Sequence, residues 1–496
     1  MRTAQIVSGP DWSAPGLQIA AGRFPLAVER HVLRMVDRLV PGVTTVTPHA
    51  RYFALHGLIA AEVERERLDV PAARDLLRRA EVVMAAASFV HDHGDIGLAR
   101  AHGLDALTGR LHAGTLDLAT DSQAGPTGYV RNSWGFWAPY IGSELTLEII
   151  AGTKLPEPGA QLNAVAVQSG LADLLDLARR DQLDVSAMAG YPHLCVCAGA
   201  TQPDGVWLAS LLYPTAYTAG PAWRDRRHTI NLLTRLLDLH AVSSISNDLV
   251  PQIAFGDAMT ADGQLAGNPL MPAWRGLVLR NYSVGAWRRL WSWLVEQVDE
   301  GLTAASAVAD AFADALPDVS MQAFLDDLPA THSANGNPAP AEQQLRESDD
   351  PMPLRELRIL AVNARRIQEL SDAERVAFLG EFRGADLAPE WMAARLDDNR
   401  TRPLRQFARD LTVDLLARAQ RVALSKARRR ADGTIWLPTR LHERGELLFK
   451  TSNEGRGDVG VRLPQLTSVL AGAGILAYSA TDGWQVTDAG RERLAA

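Results

Sequence analysis

Residues able to hold a metal stand close together at one point of the chain. His91-Asp92-His93-Gly94-Asp95 puts two imidazoles and two carboxylates within one short run, with His102 nearby. If His91, His93 and Asp95 converge, their donor set suits zinc or manganese, and a divalent metal is the one cofactor the sequence offers. The competing reading is a solvated polar end to the preceding helix, with one or two capping hydrogen bonds. A second group, His193, Cys195 and Cys197, brings softer donors. A lone Cys-x-Cys supplies at most two thiolates, whereas a tetrahedral site needs four ligands. The flanking Leu194, Val196 and Ala198 instead predict a buried strand in which cysteine packs as a small hydrophobe.

Other chemical motifs are incomplete. The His-x-His-x-Asp order resembles the start of the metallo-β-lactamase metal motif. Ile96 stands where the next histidine belongs, however, and an Ala-rich helix rather than a strand precedes the run. Asn247-Asp248-Leu249 resembles the second metal motif of class I terpene cyclases, but the Asp-rich first motif is missing. Gly455-Arg456-Gly457-Asp458-Val459-Gly460 fits G-x-G-x-x-G formally. A dinucleotide fingerprint lies between a strand and a helix inside a βαβ unit, and no parallel-sheet pattern surrounds these glycines, so a flexible basic loop is expected. No phosphate-binding P-loop and no G-x-S-x-G nucleophile elbow occurs.

The elements that must position these groups are mostly helices. In 69–90, Leu76, Leu77, Ala80, Val83, Met84 and Ala87 recur at helical spacing, with Asp69 as cap and Pro71 in the first turn. Similar stripes run through 29–39, 171–179, 229–245 and 285–298. The last carries Trp287, Trp291 and Trp293, which read as core rather than as a stacking surface for bases. Residues 120–140, rich in Gly, Ser and aromatics, predict long loops. Residues 326–353 contain several prolines and few large apolar side chains, so a linker or long loop is expected there. Helices follow at 354–369, 372–382 and 404–430.

At the C-terminus the pattern changes. A short helix at 464–471 ends at Gly472 and Gly474, and β-type runs at 475–479 and 484–487 flank Asp482-Gly483. Asp-Gly between such runs is a hairpin signal, because a tight turn needs residues that tolerate positive φ. A closing helix follows at 488–494. From about Thr434 onward this order resembles the end of many bacterial winged-helix domains. The charge is uneven as well. The chain has net charge −8, yet from Arg400 to Ala496 there are 17 Lys and Arg against 10 Asp and Glu, leaving 33 against 48 elsewhere. Lys426, Arg428, Arg429, Arg430, Arg440, Arg444, Lys450, Arg456 and Arg462 could neutralise DNA phosphates, with Gln465, Thr467 and Ser468 on the presumed recognition helix. The wing tip carries Asp482 instead of a cation, which favours protein docking as the rival use.

Pro41-Gly42-Val43-Thr44-Thr45-Val46-Thr47-Pro48-His49-Ala50-Arg51-Tyr52-Phe53 resembles the opening of a loosely defined set of uncharacterised bacterial proteins. That resemblance implies association with restriction and phage-defence loci, and it carries no catalytic residue with it. Read from the residues alone, Arg51 binds helix carbonyls and the two aromatics enter the core.

The length of 496 residues allows several domains. The expected order is a mainly helical domain at 1–325, the linker at 326–353, a helical connector at 354–433 and a winged-helix-like α+β module at 434–496. No apolar run approaches the roughly 20 residues of a membrane span, and no secretory signal is evident. With two cysteines in the chain, a reducing cytoplasm is expected. These features together predict a non-catalytic DNA-binding or adaptor component, plausibly of antiviral defence, with a protein partner or a second copy of itself. The alternatives are a metal-dependent hydrolase or nuclease built on His91, His93 and Asp95, or a scaffold that docks only protein.

Overall fold

In the computed structural model, 59 % of the chain is helical and 8 % is strand, so the protein is mainly α with small sheets. The structure describes residues 6–7, 17–20, 22–91, 100–214, 221–333, 338–380 and 387–495. Among these, no helix is long and apolar enough to cross a membrane. The chain forms two compact units that alternate along the sequence. One comprises Met1–Met35, Ile253–Asp257 and Pro272–Val459; the other comprises Val36–Gln252, Ala258–Met271 and Gly460–Ala496. The limits expected at 325, 353 and 433 therefore do not coincide with the units. Residues 434–496, read as one module, are shared between the two.

The first unit is organised by the helix Met271–Glu296. Its Trp287 and Trp291 are buried, as the core reading expects, together with Trp274, while Trp293 is half-buried. Arg275 pairs with Glu374 at 3.2 Å, fixing the helix Asp372–Leu379 beside it. Helix Leu404–Lys426 packs against Ala305–Asp314. Residues 326–353 are more than a linker. They hold the helix Ala341–Arg346, whose Glu342 is buried and accepts from Arg366 at 2.8 Å and from Asn363 at 3.0 Å. Proline content hid this helix because its anchor is an ion pair instead of an apolar stripe. Two sheets complete the unit. One runs in the order 6–7, 17–20, 435–438, 428–429; the other runs 303–304, 447–450, 441–444.

In the second unit the helix Ala50–Glu66 is buried along most of its length and forms the centre. Val70–Val90 lies against it and starts as expected, with the Asp69 carboxylate accepting from Ala72 N at 2.9 Å and Pro71 in the first turn. Pro203–Leu212 and Leu463–Gly472 also pack on the central helix. The terminal hairpin Leu476–Ser479 with Gly483–Val486 forms where Asp-Gly predicted it. Gly483 has φ +73°, and a Cβ there would stand 2.3 Å from Val242 O, so both turn geometry and close approach require glycine.

A buried acid–base knot joins the central helices of this unit. His56 Nδ1 donates to Glu144 Oε1 at 2.5 Å, while its Nε2 faces Glu81 Oε1 at 3.6 Å. All three side chains are fully buried. The surrounding donors are Trp137 to Glu144 at 2.9 Å, Phe136 N to Glu81 at 2.9 Å, and the Tyr129 hydroxyl to Glu81. Of the 120–140 span expected as loop, the ends belong to the helices Leu118–Asp121 and Trp137–Thr146, and the part between delivers Tyr129 and Phe136 to Glu81. Burial pulls the His56 pKa down, but Glu144 and Glu81 outweigh it and raise it to about 9. Nearby His49 and His102 have no such carboxylate among the described residues, and burial lowers them to about 4 and about 3.

These shifts act on stability in opposite directions. His56, raised above its ordinary 6.5, contributes fully below pH 6.5 and loses that contribution as pH climbs to about 9. His49 and His102, both depressed, withdraw stability as pH falls below 6.5. Thermal melts across pH are expected to peak near neutrality. His56→Gln should lower stability by about 3–5 kcal/mol, because two carboxylates stay buried without their cation. That variant should also lose the decline between pH 6.5 and 9. A wild-type melting temperature that does not fall over this range would contradict the assignment of a buried imidazolium.

Candidate metal centre

The site begins at Arg51, in the first turn of the central helix of the second unit. Its side chain is fully buried and forms a fork with Asp204, Nε to Oδ2 at 3.0 Å and Nη2 to Oδ1 at 3.1 Å. The remaining hydrogens go to backbone carbonyls: Nη2 to Gly170 O at 2.7 Å, Nη1 to Cys195 O at 2.8 Å, and Nη1 also to His193 O. Gly170 is required for this approach, since a Cβ there would stand 2.0 Å from Asp204 Oδ1. The structural reading of Ala50-Arg51-Tyr52-Phe53 therefore holds: Arg51 binds carbonyls, and Tyr52 and Phe53 are buried.

The clamp shapes residues 193–197. A buried strand was expected here, but Pro192–Leu194 and Ala198–Thr201 are short 3-10 turns with Cys195 extended between them. The backbone groups here close local turns, Cys195 N on Pro192 O and Ala198 N on Cys195 O, both at 3.1 Å, while Arg51 holds the His193 and Cys195 carbonyls from inside. From the other side, Val196 N donates to Ser88 Oγ at 3.1 Å, and Ser88 in turn donates to Met84 O at 2.8 Å. Ser88 lies in the last turn of Val70–Val90, and His91 caps that helix with its N–H on Ala87 O. The same helix end thus fixes the cysteine segment and presents an imidazole to it.

The result is a cluster of three ligand atoms. His91 Nδ1, Cys195 Sγ and Cys197 Sγ all lie within 4.8 Å of one another. Cys197 Sγ stands 3.3 Å from His91 Nδ1 and 3.0 Å from Cys195 Sγ. Tetrahedral zinc with ~2.3 Å bonds to sulfur and ~2.0 Å to nitrogen needs S···S near ~3.8 Å and S···N near ~3.6 Å. Cys197 therefore has to move by less than about 1 Å from each of its two neighbours to accept the ion. Cys195 is buried, while Cys197 and His91 are partly accessible. Contact with Cys195, then burial, holds the Cys197 thiol above the ordinary thiol range. A metal held there would displace that proton and bind the thiolate.

The sequence-expected metal ligands divide accordingly. His91 is in the cluster; His93 and Asp95 lie outside the described residues. His102 stacks on Phe136 with ring centroids 4.6 Å apart. His193 turns away, with Nε2 3.1 Å from Ala172 O. Asp248 accepts from Ser243 N and Ser244 N at 2.9 and 2.7 Å, capping its own turn. Cys195 and Cys197 are in the cluster, where packing as small hydrophobes is the sequence expectation, because their third neighbour, His91, is distant in sequence.

Most of the basic residues proposed for DNA are engaged within the chain. Lys426 donates to Arg23 O and Phe24 O at 2.7 and 2.9 Å, and Lys450 to Val295 O and Glu296 O at 3.3 Å. Arg440 pairs with Glu454 at 3.4 Å, Arg456 with Glu296, and Arg462 with Asp37 at 2.5 Å. Asp458 of the Gly-rich segment is held by Arg289 at 2.5 Å and Arg346 at 3.1 Å, so that loop is anchored. Arg428, Arg429, Arg430 and Arg444 are exposed. Thr467 is buried with its hydroxyl on Leu463 O, Ser468 bonds Pro464 O, and Gln465 is half-buried. The helix Leu463–Gly472 turns its apolar side into the second unit instead of presenting an exposed polar row.

Removing the clamp tests its role. Arg51→Met should destabilise the chain by about 3–5 kcal/mol in chemical denaturation, since Asp204 is left buried and unpaired. Arg51→Lys restores charge without the fork and should recover only part of this. A loss under about 1 kcal/mol for the methionine variant would contradict the clamp. The chain matches no family model, and no curated protein or solved structure is similar enough to count as a match.

Proposed function

We propose that the protein binds one thiophilic divalent ion, zinc by the chemistry of the donors, through His91 Nδ1, Cys195 Sγ and Cys197 Sγ. The observation that carries this reading is the convergence of two sulfurs and one imidazole on scaffolds pinned by Arg51 and Ser88. Thiolate and imidazole together select zinc over calcium, magnesium or manganese, which prefer oxygen. Among the described residues three side chains reach the site. That is the ligand number of zinc centres which keep a position for water or substrate. Zinc in such a position lowers the pKa of bound water, so hydrolysis is the chemistry open to it.

The test is metal content. Full-length protein purified without chelator, or reconstituted with zinc, should carry about one zinc per chain, as expected for one S₂N ligand set. Cys195→Ser and Cys197→Ser should each weaken retention by at least about tenfold, while Cys195→Ser/Cys197→Ser should abolish it. Zinc retained by the double variant, or none taken up by the wild type, would overturn the reading.

A second reading concerns nucleic acid. It is supported by the exposure of Arg428, Arg429, Arg430 and Arg444, and it limits contact to the phosphate backbone. Binding to random duplex DNA should fall steeply with salt. Neutralising these four arginines should reduce the salt slope by about three to four. Equal slopes for wild type and variant would remove this reading.

A further inference from the structure

We propose that Cys195 and Cys197 are also an oxidation site, at which a hydroperoxide closes an intramolecular disulfide and expels the metal. The inference rests on the zinc reading and adds a control to it. Its basis is geometric. The two sulfurs are already 3.0 Å apart, one residue separates the cysteines, and a disulfide requires an approach of only ~1 Å more. The backbone between them is fixed before any reaction, by Arg51 on Cys195 O and by Ser88 on Val196 N. Ordering the segment is therefore not an added entropic cost of closure.

Burial assigns the order of events. Cys197 is the partly accessible sulfur and Cys195 is fully buried, so Cys197 meets the oxidant and Cys195 resolves. On zinc both sulfurs are thiolates, the nucleophilic form. Cys197 Sγ attacks one peroxide oxygen, the O–O bond breaks, and hydroxide leaves, giving a sulfenic acid. Cys195 Sγ then attacks the Cys197 sulfur, the S–S bond forms, and the S–O bond breaks with loss of a second hydroxide. The peroxide gains the two electrons that the thiolates lose, and two protons from solvent convert the hydroxides to water. Zinc is left with His91 as its one remaining ligand in the cluster and dissociates. A disulfide closed across a single intervening residue is strained and hence readily reduced, so a dithiol restores the site.

The chain has no cysteines other than these two, which makes the readout unambiguous. Full-length protein is first loaded with zinc, then titrated with hydrogen peroxide while a chromogenic chelator reports released metal. Intact mass is read after alkylation. The expected product is a monomer lighter by two hydrogen atoms, with neither cysteine alkylated, and with zinc released one-for-one. Dithiothreitol should then restore both alkylation and zinc binding. In Cys195→Ser, oxidation should give no monomeric disulfide. Failure to take up zinc at the first step would overturn the metal reading and the switch together. Normal zinc uptake followed by sulfinic acid without a disulfide, or by a disulfide with zinc retained, would overturn the switch and leave the metal reading standing.

Discussion

One buried guanidinium holds the segment that carries the two cysteines of the second unit. Arg51 is fully buried, so every hydrogen it carries has to find an acceptor inside the protein. Asp204 neutralises the charge, and the carbonyls of Gly170, His193 and Cys195 absorb the remaining donors. These bonds fix where His193 and Cys195 lie, and Cys195 O closes a turn by also accepting from Ala198 N at 3.1 Å. The irregular backbone of 193–197 places Cys195 and Cys197 beside the end of the Val70–Val90 helix, where His91 stands.

The same economy of charge recurs elsewhere in the molecule. His56 lies between Glu144 and Glu81, Arg366 meets Glu342, and Arg275 meets Glu374, in each case at a place where helices join. Buried ionic groups of this kind add little net stability over apolar packing, but breaking one partner is expensive. They specify which helix lies beside which. The basic C-terminal region obeys the same logic. Lys426, Arg440, Lys450, Arg456 and Arg462 serve as internal ties, leaving a surface cation group smaller than the charge count implies.

Local signals in the sequence were read well because local physics fixed them. The Asp69 cap, the Trp287 and Trp291 core stripe and the Asp482-Gly483 hairpin each depend on neighbours a few residues away. What composition could not reveal were effects of distant partners. Residues 326–353 look unable to fold until Glu342 finds Arg366, and the helix at Leu463–Gly472 looks like an exposed reader until its Thr467 is seen buried. The site is the plainest case. His91 and the two cysteines stand in separate motifs, each of which is incomplete, and an Arg–carbonyl clamp unites them. The cue in the sequence is an imidazole in one motif and thiolates in the other, donor types that zinc accepts together.

The proposed zinc centre requires two sulfurs and one imidazole to meet at a single ion. X-ray absorption at the zinc edge of the reconstituted full-length protein reads those bonds directly. The expected first shell has two sulfur neighbours at about 2.3 Å, with nitrogen or oxygen at about 2.0–2.1 Å. A shell of light atoms without sulfur would contradict the assignment of Cys195 and Cys197 as ligands.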